Sequence, residues 1–300
     1  MSAQPPQIAA LFAADPVCGL QSGDGWRVDS VRRDVAVIHH LTSSAFTCSL
    51  DGATEFDGRG FSAHFIFVRS GELSVGQCGH RRTLSGGDIF VCCAWLPLTL
   101  DASDGLDALI ITLPGWWTLQ RIMDQFQVLP HLYVGKTYFA APIVSALAQR
   151  LFDLNDASDA AASQGLVMIA DLMRTALAAC VDADKLLPRA QGRMGQILWF
   201  VARNLEKRGL SAQDAAASLK CSVRTIYKAC AAYKTSFGAV VTETRLVSAQ
   251  YQLMQTNQRV SEIAYGVGFA SLSHFSRLFR ARFGISAKEM RNAKDSQGLH

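Results

Sequence analysis

Residues 260–291 contain the clearest structural pattern in the chain, and they read VSEIAYGVGFASLSHFSRLFRARFGISAKEMR. Apolar residues recur at helical spacing in two short runs, and Gly268 lies in the turn between them. The pattern predicts a helix over Ser261–Tyr265 and a second helix over Ser271–Phe283 that ends at Gly284. Ser286 and Glu289 then predict the capped start of a last helix. This order of elements is typical of a helix-turn-helix unit.

A second unit of the same kind is predicted directly upstream. Ser211 and Asp214 have the spacing of a capping box, and Ser222 is a favourable residue to start the next helix. Gly238 is expected to interrupt the chain before a long connecting helix. The predicted helices are Met194–Arg208, one opening at Ser211, Val223–Tyr233 and Ala239–Gln255. Residues 193–300 are therefore predicted to be an all-α domain of two helix-turn-helix units joined by a long helix.

The two parts of the chain carry opposite charge. Residues 191–300 hold 16 Lys and Arg against 6 Asp and Glu, a net charge of +10, whereas residues 1–190 hold 13 against 19, a net charge of −6. Such a basic segment indicates a polyanionic partner. The second helix of each unit also places Arg or Lys opposite its apolar side, which suits the major groove of DNA. A basic helical bundle without a ligand is the alternative interpretation.

Composition excludes several classes of protein. A hydrophobic fraction of 49% with 18% charged residues is typical of a folded chain and not of a disordered one. No stretch reaches the ~18 uninterrupted apolar residues of a membrane span. The first basic residue is Arg27, so a secretory signal is not expected. We therefore expect a cytoplasmic protein that does not associate with a membrane.

The segment from Gly195 to Ala293 resembles the DNA-binding domain of the AraC/XylS family of bacterial transcription regulators. In the second unit the resemblance is carried by Ile263-Ala264, Gly268-Phe269, Ser273, Phe275, Arg277, Phe279, Phe283-Gly284 and Ser286. In the first unit it is carried by Leu219, Ser222, Tyr227, Gly238, Arg245-Leu246, Ala249 and Leu253. Ala287 and Met290 stand where the family has Pro and Tyr. We expect these two departures to loosen the start and the packing of the last helix.

The resemblance implies that the two units read adjacent major grooves on one side of double-stranded DNA, in a regulator that acts on RNA polymerase. The residues implied to contact bases are Arg224, Tyr227, Lys228, Ser271, Ser273, His274 and Arg277. Those implied to contact phosphates are Lys234, Arg280 and Arg282. For each of them, a solvated surface charge or hydroxyl is the alternative.

The first part of the chain is predicted to be β structure followed by helices. Short runs rich in Val, Ile, Phe and Thr alternate with Gly, Asp and Ser turns, and they predict strands over Val35–Leu41, His64–Arg69, Glu72–Gln77, Asp88–Cys93 and Ala108–Leu113. From Pro142 the apolar spacing becomes helical. Residues 25–180 resemble, more weakly, the cupin-like effector domain of the same family. The predicted fold class is therefore α+β with two domains: a cupin-like β-barrel with packed helices over residues 1–181, a linker over 182–192, and the all-α domain.

A barrel of this size can hold one small organic effector. The candidate binding residues are His64, Arg69, Trp95 and Trp26, because an Arg near aromatic rings suits an aromatic or carboxylate ligand. Core packing is the alternative role for each of them. The barrel segment lacks the HxH pair of metal-binding cupins, so neither a metal nor a cofactor is expected.

The sequence thus predicts a sequence-specific DNA-binding transcriptional regulator, an activator that responds to a small organic effector and forms a homodimer through helices of the first domain. Two variants remain open, a regulator that needs no ligand and one that responds to oxidation of Cys92 and Cys93. An enzyme built on the barrel is not expected, because the sequence shows no catalytic Ser-His-Asp or paired-carboxylate constellation.

Overall fold

The computed structural model describes residues 11–12, 25–50, 62–77, 80–93, 97–114, 117–118, 121, 132–154, 159–180 and 193–297. The chain divides into two compact units, Met1–Gly195 and Gln196–His300. The predicted linker over 182–192 and the candidate residue Trp95 lie outside the described residues. Within the described part of the chain, no helix is long and apolar enough to cross a membrane.

The first unit contains two antiparallel β-sheets. In chain order the strands are β1 Trp26–Arg33, β2 Ala36–Ser43, β3 Phe46–Leu50, β4 Ala63–Ser70, β5 Glu72–Gln77, β6 His80–Ser85, β7 Ile89–Cys93, β8 Leu98–Ala102, β9 Leu106–Leu113 and β10 Leu132–Val134. One sheet has the order β1-β2-β9-β4-β7-β10, and the other has the order β3-β8-β5-β6. Every pairing between these strands is antiparallel.

The two sheets pack face to face around one hydrophobic core. Alternate residues of each strand point inward, as the period of two in an extended chain requires. Ile66 and Val68 of β4 meet Leu73 and Val75 of β5 in the same buried cluster. The opposite face of β4, which carries Phe65 and Phe67, is also buried. The six-stranded sheet is therefore covered on both sides.

Two helices follow the strands in the first unit, α1 over Ala141–Asp153 and α2 over Asp159–Cys180. Helix α1 buries Val144, Ala148 and Leu151 on one side. Arg33 of β1 ties the end of α1 to the sheet, because its guanidinium donates to the backbone carbonyl of Leu151 at 2.8 Å and also to that of Leu154. These bonds satisfy carbonyls that a helix C-terminus leaves without partners.

The second unit is helical throughout its regular structure. Its helices are α3 Arg193–Arg203, α4 Ala212–Ser218, α5 Val223–Ala231, α6 Phe237–Gln255, α7 Val260–Gly266, α8 Leu272–Phe283 and α9 Ala287–Gln297. Helices α4 and α5 form the first helix-turn-helix unit, α7 and α8 form the second, and α6 joins them. The predicted fold class, a β domain with packed helices and an all-α domain of two helix-turn-helix units, is confirmed.

Several helix boundaries differ from the prediction by one or more residues, and for two of them the structure shows the cause. Helix α3 ends at Arg203 and not at Arg208, because the carbonyls of Leu205 and Lys207 accept hydrogen bonds from Arg245 of α6 at 3.0 and 2.7 Å. Helix α6 begins at Phe237, since the Ser236 hydroxyl accepts from the Ala239 N–H and caps the helix. Gly238 therefore lies inside the first turn and does not interrupt the helix.

The two departures from the family pattern do not loosen the last helix, so that expectation was wrong. Ala287 and Met290 are both buried in the core of the second helix-turn-helix unit. The start of α9 is fixed by a reciprocal cap, in which the Ser286 N–H donates to Glu289 Oε2 at 2.7 Å and the Glu289 N–H donates to Ser286 Oγ at 3.1 Å. This cap performs the task that a proline would otherwise assist.

Candidate nucleic-acid interface

Two serine caps set the first helix-turn-helix unit. The Ser211 hydroxyl accepts from the Asp214 N–H at 3.2 Å, and the Asp214 carboxylate accepts from the Ser211 N–H at 3.0 Å. The Ser222 hydroxyl accepts from the Thr225 N–H at 3.2 Å and starts α5. Buried Ala215 and Ala216 on α4 give α5 room for close approach.

The outer face of α5 is polar and basic. Ile226 and Cys230 are buried on one side of the helix. Arg224, Tyr227 and Lys228 are all exposed, and their spacing of three and four residues places them together on the outer face. The Tyr227 ring is 53% exposed although it is a large hydrophobic side chain. The structure therefore brings the three base-contacting residues predicted for the first unit onto one surface, which we call the α5 face.

Helix α8 of the second unit is anchored by aromatic packing. Phe275 and Phe279 are fully buried, their ring centroids are 5.3 Å apart, and Phe269 lies 5.2 Å from Phe275. Aromatic pairs at these distances add to the stability of a core. Gly284 at the end of the helix has φ +76°, the left-handed conformation expected of a glycine C-cap. The helix is thus fixed in both position and length.

The opposite face of α8 presents Ser273, His274, Arg277 and Arg280, which are all exposed. Arg277 Nη2 lies 3.2 Å from His274 Nδ1. Because arginine can only donate, Nδ1 accepts in this contact and Nε2 is left as the protonated ring nitrogen. This α8 face therefore offers an array of donors, which suits acceptor edges such as N7 and O6 of guanine.

Three predicted DNA-contacting residues have further features of their own. The Ser271 hydroxyl accepts from the His274 N–H at 3.3 Å and caps α8, so its hydrogen is what it can offer to DNA. Lys234 is exposed and follows α5 with φ +50°.

Arg282 Nε donates to Glu243 Oε1 of α6 at 2.6 Å, and the two side chains are only 20% and 15% exposed. This ion pair braces α8 against α6, and the phosphate contact expected of Arg282 stays a prediction.

Helix α6 holds the two helix-turn-helix units together. Leu246, Ala249 and Leu253 of α6 pack in one cluster with Ile263 of α7 and Phe275 of α8. Gly268 in the turn of the second unit has φ +91°, and a Cβ there would lie 2.1 Å from the carbonyl oxygen of Leu205. The turn after α3 and the turn of the second unit are therefore in direct contact.

Most acidic groups of the second unit are used inside it. Lys207 and Ser211 hydrogen-bond to Asp214 and lower the pKa of its carboxyl group to about 2. The Ser286 backbone and side chain lower the pKa of Glu289. Glu262 accepts from the Arg259 N–H at 2.8 Å. Since Glu243 is paired with Arg282, four of the six acidic residues hold caps or an ion pair, and Glu289 also interacts electrostatically with Arg280 of the α8 face.

The candidate effector residues do not form one site. His64 is fully buried on the inner face of β4, where Nδ1 lies 2.9 Å from Thr112 Oγ1 and the ring packs edge-on against Phe12. Arg69 follows on the opposite parity of the same strand and reaches His40 at 3.1 Å. Trp26 is partly buried against the inner core. An alternating strand cannot direct His64 and Arg69 into one pocket, so the structure separates them.

The inner core also contains two buried histidines. His39 and His64 are both buried, and the Nε2 atom of each has no hydrogen-bond partner among the described residues. Burial lowers the pKa of His39 to about 4. Burial and the neighbouring His39 lower that of His64 to about 3. Cys92 is fully buried and burial raises the pKa of its thiol, which disfavours the reactive thiolate. In the described part of the chain, no group of three or more His, Cys, Asp or Glu could hold a metal ion.

Comparison with known proteins supports the assignment of helix-turn-helix structure to the second compact unit of the chain. Residues 215–293 match the helix-turn-helix domain family. The chain is 33% identical over 125 residues to the transcriptional activator NphR of Rhodococcus sp, which is 42% of this chain and 36% of NphR. It is 32% identical over 114 residues to the transcriptional activator RhrA of Rhizobium meliloti, 37% of this chain and 36% of RhrA. The matched region thus spans little more than a third of either relative.

A solved structure extends the comparison to both units. The crystal structure of the AraC-like transcriptional activator CuxR superposes with a TM-score of 0.52 at 12% sequence identity, over 77% of this chain and 86% of CuxR. At this identity the likeness concerns the fold. Together with the family match and the named relatives, it confirms the resemblance to the AraC/XylS regulators. The chain therefore carries a helix-turn-helix domain of the matched family, and its fold is that of the solved CuxR structure.

Proposed function

We propose that the chain is a sequence-specific DNA-binding transcriptional activator whose first unit responds to a small organic effector. The observation that carries the proposal is the pair of recognition faces: α5 and α8 each expose a basic, hydrogen-bonding surface, and both pack on helical partners within one compact unit. A bundle without a ligand has no need for two such faces.

The length of α6 is compatible with two adjacent major grooves. Its 19 residues span about 28 Å at the rise of an α-helix. Adjacent major grooves on one side of DNA are about 34 Å apart. The turns on either side of α6 add the remaining distance. Arg224, Tyr227 and Lys228 would then contact one groove and Ser273, His274 and Arg277 the next, while Arg280 and Lys234 would contact phosphates.

The test is binding to the DNA upstream of its own gene, compared with a random duplex of equal length, in a salt titration. We expect specific affinity about 10³-fold or more above the random duplex. The double variant Arg224→Ala, Arg277→Ala should lose this preference. Arg81→Ala is the matched control, since it removes a cation from an exposed ion pair with Asp101 on the first unit. Equal affinity for both duplexes at every salt concentration would contradict the proposal.

We also propose that the active species is a homodimer joined through the helices of the first unit and that it acts on RNA polymerase. Ile143 of α1 and Met168 of α2 are half exposed, and Phe139 just before α1 is more exposed still. Large apolar side chains at the surface of helices are typical of a subunit contact. Light scattering should give a dimer mass for the unaltered chain and a monomer mass for Ile143→Glu. A monomer before any substitution would contradict this part.

Effector control then follows from a shift between two states of the protein. A ligand alters DNA binding only if it binds one state more tightly than the other. The regulator that needs no ligand remains the second candidate. The redox variant is less well supported, because Cys92 is buried and its thiolate is disfavoured.

A further inference from the structure

A cavity of about 370 Å³ lies on the outer side of the six-stranded sheet, beneath α1. Phe67 and Leu109, which face each other across β4 and β9, form part of its apolar surface. Pro142, Ser145 and Gln149 of α1 line it from the helix side, and their spacing of three and four residues places them on one face. This cavity is distinct from the core between the two sheets, where the sequence placed the effector.

Two cations line the cavity. Lys136 is held in place by its own backbone, since its N–H donates to Asp88 Oδ1 at 2.9 Å. Its ammonium group donates to the Ser85 hydroxyl at 3.2 Å, which leaves further donors for a ligand. Gly87 allows this approach, because a Cβ there would lie 2.9 Å from Lys136 Cβ.

The second cation is Arg69, which is 41% exposed. Its Nη1 atom lies 3.1 Å from His40 Nε2 and 3.5 Å from Asp107 Oδ1. Asp107 thus offsets part of its charge through one nitrogen of the guanidinium fork. The fork has further N–H donors, and a carboxylate is the ligand that its geometry suits best.

We propose that this cavity binds a small organic acid with an apolar body. The carboxylate lies between Lys136 and Arg69, and the apolar body contacts Phe67 and Leu109. The role of such a ligand as the effector rests on the proposed function. The binding itself does not, because every contact lies within the first unit.

The experiment uses three compounds and the full chain without DNA. Phenylacetate has both the carboxylate and the apolar body, acetate lacks the ring, and 2-phenylethanol lacks the carboxylate. Saturation-transfer NMR at millimolar ligand detects weak binding and ranks the three. We expect phenylacetate to bind best. Acetate and 2-phenylethanol should each bind at least about tenfold more weakly, since acetate lacks the apolar contacts and 2-phenylethanol lacks the charge-assisted bonds.

Variants then assign each contact. Lys136→Ala should weaken phenylacetate about tenfold. Arg81→Ala, on the other sheet, should change nothing. The proposal is overturned if the unaltered chain binds 2-phenylethanol as well as phenylacetate, or if it binds none of the three. It is also overturned if a folded Lys136→Ala variant binds phenylacetate normally. The ranking on the unaltered chain needs no variant, and a failure of DNA binding would leave it unchanged.

Discussion

Single residues decide how the second unit reads DNA and how tightly its turns pack. Two arginines of α8 illustrate the difference between contacting a base and contacting a phosphate. Arg277 donates to His274 near the N-terminal end of the helix, where base edges are reached. Arg280 lies one turn further along, in the last turn of the helix. Their positions imply different consequences for the same substitution.

Arg277→Ala should weaken binding to the operator by about 1–3 kcal/mol and relax the preference at one base pair. Arg280→Ala should instead lower the affinity for every duplex and reduce the salt dependence by about one phosphate contact. Both are measured by salt-titrated anisotropy on the operator and on single-base variants of it. Identical effects of the two substitutions would show that the assignment of base and phosphate contacts is wrong.

Gly268→Ala should destabilise the second unit by about 2 kcal/mol or more, because the new Cβ meets the Leu205 carbonyl and the left-handed φ is strained. Urea unfolding measures the loss. Gly238→Ala is the control: a Cβ at Gly238 meets nothing within 4 Å, and the residue lies inside α6. It should stabilise the unit by about 0.5–1 kcal/mol. Equal effects at the two glycines would refute the close approach.

At the scale of helices and strands, the sequence predicted five of the ten strands that the structure describes, namely β2, β4, β5, β7 and β9. Four of the missed strands, β1, β3, β6 and β10, are the edges of the two sheets. Charged residues interrupt the apolar pattern in WRVDSVRR of β1 and HRRTLS of β6. The missed strands β3, β8 and β10 are short, so their alternation gave a weak signal although β3 and β8 bury alternate residues.

Helix boundaries and ion pairs escaped prediction for a related reason. The end of α3 depends on Arg245, which lies about forty residues away in the chain. The pair of Glu243 and Arg282 also joins residues distant in sequence. No local pattern contains such contacts, whereas caps such as Ser222 and Ser286 are local and were visible. The cavity under α1 was missed because Lys136 and Gln149 come together only through the fold.

Glu243→Ala should destabilise the second unit by about 1–3 kcal/mol, because Arg282 loses its carboxylate partner in a partly buried place. Operator affinity should fall with it, since α8 is no longer braced against α6. Thermal unfolding and anisotropy provide the two readouts. Lys207→Ala removes an exposed ion pair with Asp214 and should have the smaller effect on stability. If Glu243→Ala left both quantities unchanged, the bracing role of Arg282 would be wrong.

At the scale of the whole molecule, the two units respond to acid over different pH ranges. In the first unit, His39 and His64 have pKa values of about 4 and about 3 when folded, against an ordinary value of 6.5. Between the ordinary pKa of 6.5 and these lowered pKa values, the unfolded first unit therefore binds more protons than the folded one. In the second unit the lowered pKa values belong to Asp214 and Glu289. The stability that these two carboxylates contribute is fully present above the ordinary pKa of a carboxyl group, and it is lost only in stronger acid.

The first unit should therefore weaken as the pH falls below about 6.5, by up to about 1.4 kcal/mol per pH unit for each histidine. Between pH 6.5 and about 4.5 the second unit should keep its stability. Hydrogen exchange with mass spectrometry follows each unit separately at pH 7 and pH 5. His64→Gln should flatten the response of the first unit. An unchanged first unit at pH 5 would contradict the burial of the two neutral histidines.

The packing of α6 has a consequence for the DNA that this protein selects. Helix α6 forms a common core with α7 and α8, contacts α5, and is tied to the turn after α3 by Arg245, so the α5 and α8 faces keep a fixed separation. One extra base pair between the two half-sites would turn them by about a tenth of a helical repeat. A stiff connector cannot follow that rotation as a flexible linker would. The operator should thus have a strict phase, and an inserted base pair should abolish simultaneous contact where a changed base would only weaken it.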